Sequence, residues 1–385
     1  MKRRLFLCLP FVVGGAYGYW VSTPRLDNPD YIELLERQAN ERLERCLEMG
    51  ASPETNGALS PIFDGFWDRK ASSELAAIVS ALKAKARSIY REEDDCLDQI
   101  SVPEDRADPR GRLQKVLPVL HNALTKPVFF SGKVGFDSAD ITLDFLDCQN
   151  LGMALSAEAT SLALNGDSDG FLRCIGSILG LSRGYRAFPI LIRLLISQSI
   201  ADIALQTAFH AYSPDNKGAP WSAMSQHFYE AVPSHDELVL CMKCEFAFGD
   251  AAYQGVLDGK RPMEDISEND ERISLWRRLP GQVTRERRAY RRDFAEFIAA
   301  LENGEDAAVL TTDLAKKFNA YFRNSLVRSD FHRTSAQVFE MLGAREPQST
   351  NSVVFDVEDR DANIEIVSSK WVESKGRKII FHLAF

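Results

Sequence analysis

Along most of the chain, apolar residues recur at three- and four-residue spacing, the period of an amphipathic helix. The pattern predicts a helix over residues 31–49, another over 72–100, and a third from Pro109 to just before Pro127. A fourth starts at Ser138-Ala139-Asp140 and runs to Leu164, followed by helices over 170–184 and 189–211. Further helices are expected over 221–231, 234–257, 284–303, 306–327 and 331–342. In the helix over 284–303, Tyr290, Phe294, Phe297, Ile298 and Leu301 make one face. Asn28-Pro29-Asp30 reads as a helix start and Gly50 as a stop. Residues 51–62 read as a turn-rich linker. The period changes only near the end. Residues 352–357, 363–368 and 377–383 are short β-branched and aromatic stretches separated by turns, which predicts a small antiparallel sheet packing on the helices. The expected fold class is therefore mainly α: an irregular helical bundle or solenoid-like array with a small C-terminal antiparallel β-sheet. Residues 1–24 form a membrane anchor or signal segment, 25–345 a helical domain and 346–385 the β-rich tail.

The first segment sets an expected address. Lys2, Arg3 and Arg4 precede an uncharged run from Leu5 to Ser22. At about 1.5 Å per residue that run spans roughly 27 Å of helix, enough to cross a bilayer core. The basic cluster would stay cytoplasmic and send the body outside, with Tyr17, Tyr19 and Trp20 at the far interface. Cleavage after a shorter apolar run, at Ala16-Tyr17-Gly18, is the alternative and would give a secreted protein. Cys8 comes too early in the run for a lipoprotein signal.

In residues 155–185 a helix stops at Asn165-Gly166, Asp167 caps its successor, and small residues line the second helix. This segment is similar to one tetratricopeptide-type helical hairpin, without a second clear copy at a period near 34 residues. The wider layout is a short anchor, a hairpin turning at Gly-Asp, a long apolar helix after Phe188-Pro189 and a short β tail. It resembles uncharacterised single-anchor helical proteins of planctomycete-type bacteria, a resemblance that implies no known activity. Gly166-Asp167-Ser168-Asp169-Gly170 fits the G-x-S-x-G pattern of hydrolases, but a nucleophile elbow follows a strand and here a helix precedes it. Read as a calcium loop from Asn165, the stretch has Gly176 where the bidentate glutamate belongs. A helix–helix turn is the simpler reading of both.

Composition narrows the function class. A 26% charged fraction is ordinary for a folded body, and a net charge of −9 argues against nucleic-acid binding. Of seven cysteines, Cys8 lies in the apolar run. The other six (Cys46, Cys96, Cys148, Cys174, Cys241, Cys244) read most simply as buried thiols. Cys241-Met242-Lys243-Cys244 falls inside a helix, not at the helix start that a redox pair needs. The six histidines (His121, His210, His227, His235, His332, His382) are scattered, and no P-loop, G-x-G-x-x-G or H-E-x-x-H occurs. No catalytic, cofactor or metal site is expected from these patterns.

Three features remain as candidates. Gly176, Gly180 and Gly184 share one helix face, which suggests close approach of another backbone. The expected neighbour is the helix of Leu155–Leu164 or that of Pro189–Ala211, unless Gly184 merely ends its own helix. Glu158, Arg193, Asp202 and Glu245 sit in apolar helix patterns, and Arg193 is expected to pair with Glu158, Glu245 or both. Finally, residues 277–292 hold seven arginines (Arg277, Arg278, Arg285, Arg287, Arg288, Arg291, Arg292) against Glu286. They make either a solvated face paired with nearby acids such as Glu264, Asp265, Glu268, Asp270 and Glu271, or a docking surface for anionic lipid or an acidic partner. The function expected is a membrane-tethered extracytoplasmic scaffold or protein-binding module. The alternative is an enzyme or small-ligand binder using charges buried in the helical core.

Overall fold

The computed structural model describes residues 29–67, 73–89, 109–130, 145–212, 218–262, 266, 281–304 and 313–344, and the backbone of 353–358, 361–366 and 379–384. The expected anchor, Cys8, Cys96, Arg277, Arg278 and the acids Glu264, Asp265, Glu268, Asp270 and Glu271 lie outside the described residues.

The described helices, in order, are α1 Pro29–Gly50, α2 Glu74–Ile89, α3 Pro109–Leu124, α4 Phe145–Leu164, α5 Ser168–Arg186, α6 Leu191–Ala211, α7 Trp221–Ala231, α8 His235–Leu257, α9 Gln282–Glu302 and α10 Asp313–Gly343. Two expectations are corrected. The helices expected over 306–327 and 331–342 are one continuous α10 from Asp313 on. Arg328-Ser329-Asp330 offers no glycine or proline to stop a helix, and Ser329 is buried instead of capping one. The larger correction concerns the tail: the body is helical and holds no β-strand among its described residues, so a C-terminal sheet packed on the helices is not supported as part of the fold. Among the described tail residues, Val353–Glu358 pairs antiparallel with Asp361–Ile366, and that segment with Ile379–Ala384. Alternating β-branched residues report local preference, which by itself does not supply the apolar surface a sheet must cover.

The chain divides into two compact units. One comprises Met1–Arg42, Gly135–Ser138 and Val239–Tyr321; the other comprises Leu43–Val134, Ala139–Leu238 and Phe322–Phe385.

The larger unit is built around α5. Leu162, Ala163, Gly166 and Asp167 make its first corner. The Asp167 N–H donates to Leu162 O at 2.9 Å and the Gly166 N–H to Ala163 O at 2.9 Å, with Gly166 at φ 76°. This doubly bonded glycine stop ends α4. The Asp167 carboxylate then accepts the Gly170 N–H at 2.8 Å and starts α5. Thirteen of the nineteen residues of α5 are buried, from Gly170 to Tyr185. It packs against α3, α4, α6 and α7. A helix so enclosed needs small residues where neighbours come closest, and its glycines supply them. A Cβ on Gly180 would lie 2.7 Å from Leu124 O and 3.1 Å from Thr125 Cα; one on Gly184 would lie 3.0 Å from Phe129 Cβ. The close neighbour is thus the end of α3 and the segment after it, not α4 or α6 as the sequence suggested. The Phe129 N–H donates to Gly184 O at 2.9 Å, which pins that segment to α5.

The smaller unit is organised around α9. Phe294, Phe297, Ile298 and Leu301 are buried. Tyr290 stacks on Phe246 with centroids 6.0 Å apart, and Phe294 meets Phe318 at 4.6 Å. The Tyr290 hydroxyl donates to Phe246 O at 3.1 Å, a position that Gly249 leaves open.

Candidate functional site

The four buried-charge candidates do not form one cluster. Glu158, fully buried on α4, accepts from Arg110 Nε at 3.1 Å and from Gln114 Nε2 at 2.8 Å, both on α3. Its partner is therefore not Arg193, which corrects the expected pairing. Arg193 is 1% exposed and lies among aromatic rings. Its guanidinium carbon is 4.3 Å from the Tyr185 ring centroid and 5.8 Å from those of Phe130 and Phe188. Ring faces are negative, so they favour the guanidinium, which also donates to Phe129 O and Tyr185 O at 3.5 Å. Asp202 on α6 accepts from His332 Nε2 at 2.6 Å and faces Arg328 at 3.7 Å, both on α10. One and two turns away, Gln198 donates to Ser325 O at 2.8 Å and Ser329 Oγ at 3.2 Å, so a polar seam joins α6 to that part of α10. Glu245 belongs to the smaller unit, half-buried on α8.

In the smaller unit the arginine stripe meets acids within its own fold. Arg287 grips Asp250 through two bonds of 2.7 and 2.6 Å and also reaches Gln254. Arg291 bonds Glu36 at 2.6 Å, and Arg292 bonds Asp293 at 2.6 Å. Along α9 only Arg288 among the arginines is exposed; Arg285, Arg287, Arg291 and Arg292 are half-buried. The hydrogen bonds that Arg287 donates to Asp250 raise its pKa above the ordinary value, so it stays charged. At the far end of α9, Glu302 accepts from Lys243 at 2.5 Å and Tyr31 at 2.6 Å. Burial pulls the Glu302 pKa up, but these two donors hold it below the ordinary carboxylate value.

A histidine pair in the larger unit has no signature in the sequence. His121 on α3 and His227 on α7 converge over Gly176 of α5. A Cβ on Gly176 would lie 3.5 Å from His227 Cε1, 3.7 Å from His227 Nε2 and 3.7 Å from His121 Cε1. His121 Nδ1 is 2.8 Å from Ser177 Oγ, and that hydroxyl donates to Arg173 O at 2.7 Å. With the serine proton directed at the helix carbonyl, Nδ1 carries the hydrogen of its own bond and Nε2 keeps a lone pair. Burial depresses both imidazole pKa values, and each ring is half-buried. Both are therefore neutral at pH 7. Residues 106 apart on two helices share no motif; only the fold brings them together.

Cys46, Cys148, Cys174, Cys241 and Cys244 are all buried. Burial pushes the Cys241 thiol well above its ordinary pKa, the reverse of what a reactive thiolate needs. Ser168 is the first residue of α5 and lies in a helix–helix corner, not a strand-to-helix elbow. Among the described residues no helix is long and apolar enough to cross a membrane, and no group of three or more His, Cys, Asp or Glu is placed to hold a metal ion. Compared with known families, curated proteins and solved structures, the chain finds no match.

Proposed function

We propose that this chain is a membrane-tethered extracytoplasmic helical scaffold that binds a protein partner. The observation that supports this reading is how its buried and half-buried charges are spent. Glu158 ties α4 to α3, Asp202 ties α6 to α10, and Asp250 ties α8 to α9. Each carboxylate is fixed by cations or amides on another helix, so it holds geometry in place and is not poised toward a reactant. The basic N-terminal residues and the uncharged run after them supply the tether in this reading.

Affinity purification of the full chain from a detergent extract tests it. A partner that stays in fixed stoichiometry through gel filtration is the expected result. A chain that purifies alone, resists no alkaline carbonate wash and gains thermal stability from a metabolite would replace the scaffold with a small-ligand protein.

A further inference from the structure

The three glycines on one face of α5 are not equivalent. At Gly180 and Gly184 a side chain would run into backbone or Cβ atoms at 2.7–3.0 Å, so close packing alone demands glycine there. At Gly176 a methyl group would meet its neighbours only at 3.5–3.7 Å, ordinary contact distance. Alanine would fit and would suit a helix interior better. What glycine preserves at 176 is a methyl-sized gap, and the atoms that edge it are carbon and nitrogen atoms of two imidazoles.

We propose that His121 and His227 bind a borderline divalent transition-metal ion, of the Zn²⁺ or Cu²⁺ class, in the gap over Gly176. Imidazole nitrogen is the donor such ions select over calcium or magnesium. The bond from His121 Nδ1 to Ser177 Oγ fixes the ring and leaves Nε2 as the donor atom. Metal-binding histidines are oriented in this way by a hydrogen bond at the other nitrogen. Both rings are neutral at pH 7, so no proton has to be displaced before the ion binds. Water or a small anion fills the positions that two imidazoles leave. Each ring is half-buried, so the gap lies at the edge of the core, where an ion can enter. The ion would clamp α3 and α7 across α5. The proposal stands apart from the scaffold reading, since the site needs neither membrane nor partner.

The test uses the full chain in detergent, with Zn²⁺ titrated by calorimetry and Cu²⁺ followed by electron paramagnetic resonance. One equivalent of each ion should bind, and the Cu²⁺ signal should show coupling to two nitrogens. His227→Gln should remove one nitrogen and weaken Zn²⁺ by more than about tenfold, and Ser177→Ala should weaken it about 10–100-fold by freeing the His121 ring. Gly176→Ala is the sharpest variant. It should fold with an undiminished melting temperature yet lose Zn²⁺ affinity by more than about tenfold. His235→Gln, at an exposed histidine, should change nothing. Undiminished affinity in Gly176→Ala, or a Cu²⁺ spectrum unaltered by His227→Gln, would overturn the proposal.

Discussion

The two units hold their helices by different means. The larger one closes α5 inside a shell of apolar side chains and lets glycines set the distance to α3. The smaller one threads α9 between acids, with Arg287 on Asp250, Arg291 on Glu36, and Glu302 held by Lys243 and Tyr31. Apolar close packing is non-directional and intolerant of added volume. Ion pairs are directional and intolerant of a missing partner. The same kind of substitution should therefore have opposite rankings in the two units.

The largest effect is expected from Gly180→Leu. Its Cβ alone would lie 2.7 Å from Leu124 O, a backbone atom that cannot swing away. The variant should lose more than about 3 kcal/mol, seen as a lowered melting temperature or loss of soluble protein. A melting temperature equal to the parent's would refute the glycine contact. Asp250→Ala comes next, in the other unit, where it strands Arg287 without its two short bonds. A loss of about 2–3 kcal/mol is expected by chemical denaturation, and Arg287→Gln in the same chain should restore part of it. If the double variant is no better than the single, the pair is not what holds α8 to α9. Asp167→Ala removes the cap of α5 but leaves Gly166 in place, and should cost about 1 kcal/mol in the same assay.

Acid separates the units more finely. His121 and His227 have folded-state pKa values below the ordinary 6.5, so the unfolded chain takes up protons first as pH falls. Their contribution to stability is present above 6.5 and is lost as pH drops from there toward the depressed values. Glu302, also lowered, contributes above its ordinary 4.5 and loses that contribution only as pH falls through its lower folded value. Hydrogen exchange read segment by segment should show α3 and α7 loosening in mild acid while the ends of α8 and α9 remain protected. Loosening of both units at one pH would defeat the distinction, and His227→Gln should reduce the first step.

Much of this contrast was legible in the sequence, though not its partners. Helix periodicity located α7 and α9 to within a few residues, because each buries one stripe, whereas α6 showed as a long apolar run buried on nearly all sides. The glycine spacing marked a close contact on α5. Its neighbour was invisible, since the segment Thr125–Phe129 has no periodic pattern and is placed by tertiary packing. Glu158 stood out as a charge among apolar residues, whereas nothing in the sequence singles out Arg110 and Gln114 as its partners. Arg193 was expected to pair with Glu158, but Glu158 is taken by Arg110 and Gln114, and Tyr185, Phe188 and Phe130 place their rings around the guanidinium. The tail misled because alternation is a local signal, while membership of a fold depends on what covers the sheet. Histidines 121 and 227 carried no signal at all: their relation exists only through the absent side chain of Gly176.

The division of the chain also bears on how it is made. The first 42 residues belong with residues 239–321, yet all of 43–238 is synthesised between them. Tyr31 waits for Glu302, Gln38 for Lys243 and Glu36 for Arg291, across separations of 271, 205 and 255 residues. At about 5–20 residues per second, the apolar stripe of Ile32, Leu35 and Ala39 stays uncovered for roughly ten to forty seconds after it leaves the ribosome. A helix left so long without its partners is a natural client for a holding chaperone. No single truncation releases the smaller unit, because its two main parts come from opposite ends of the translation clock.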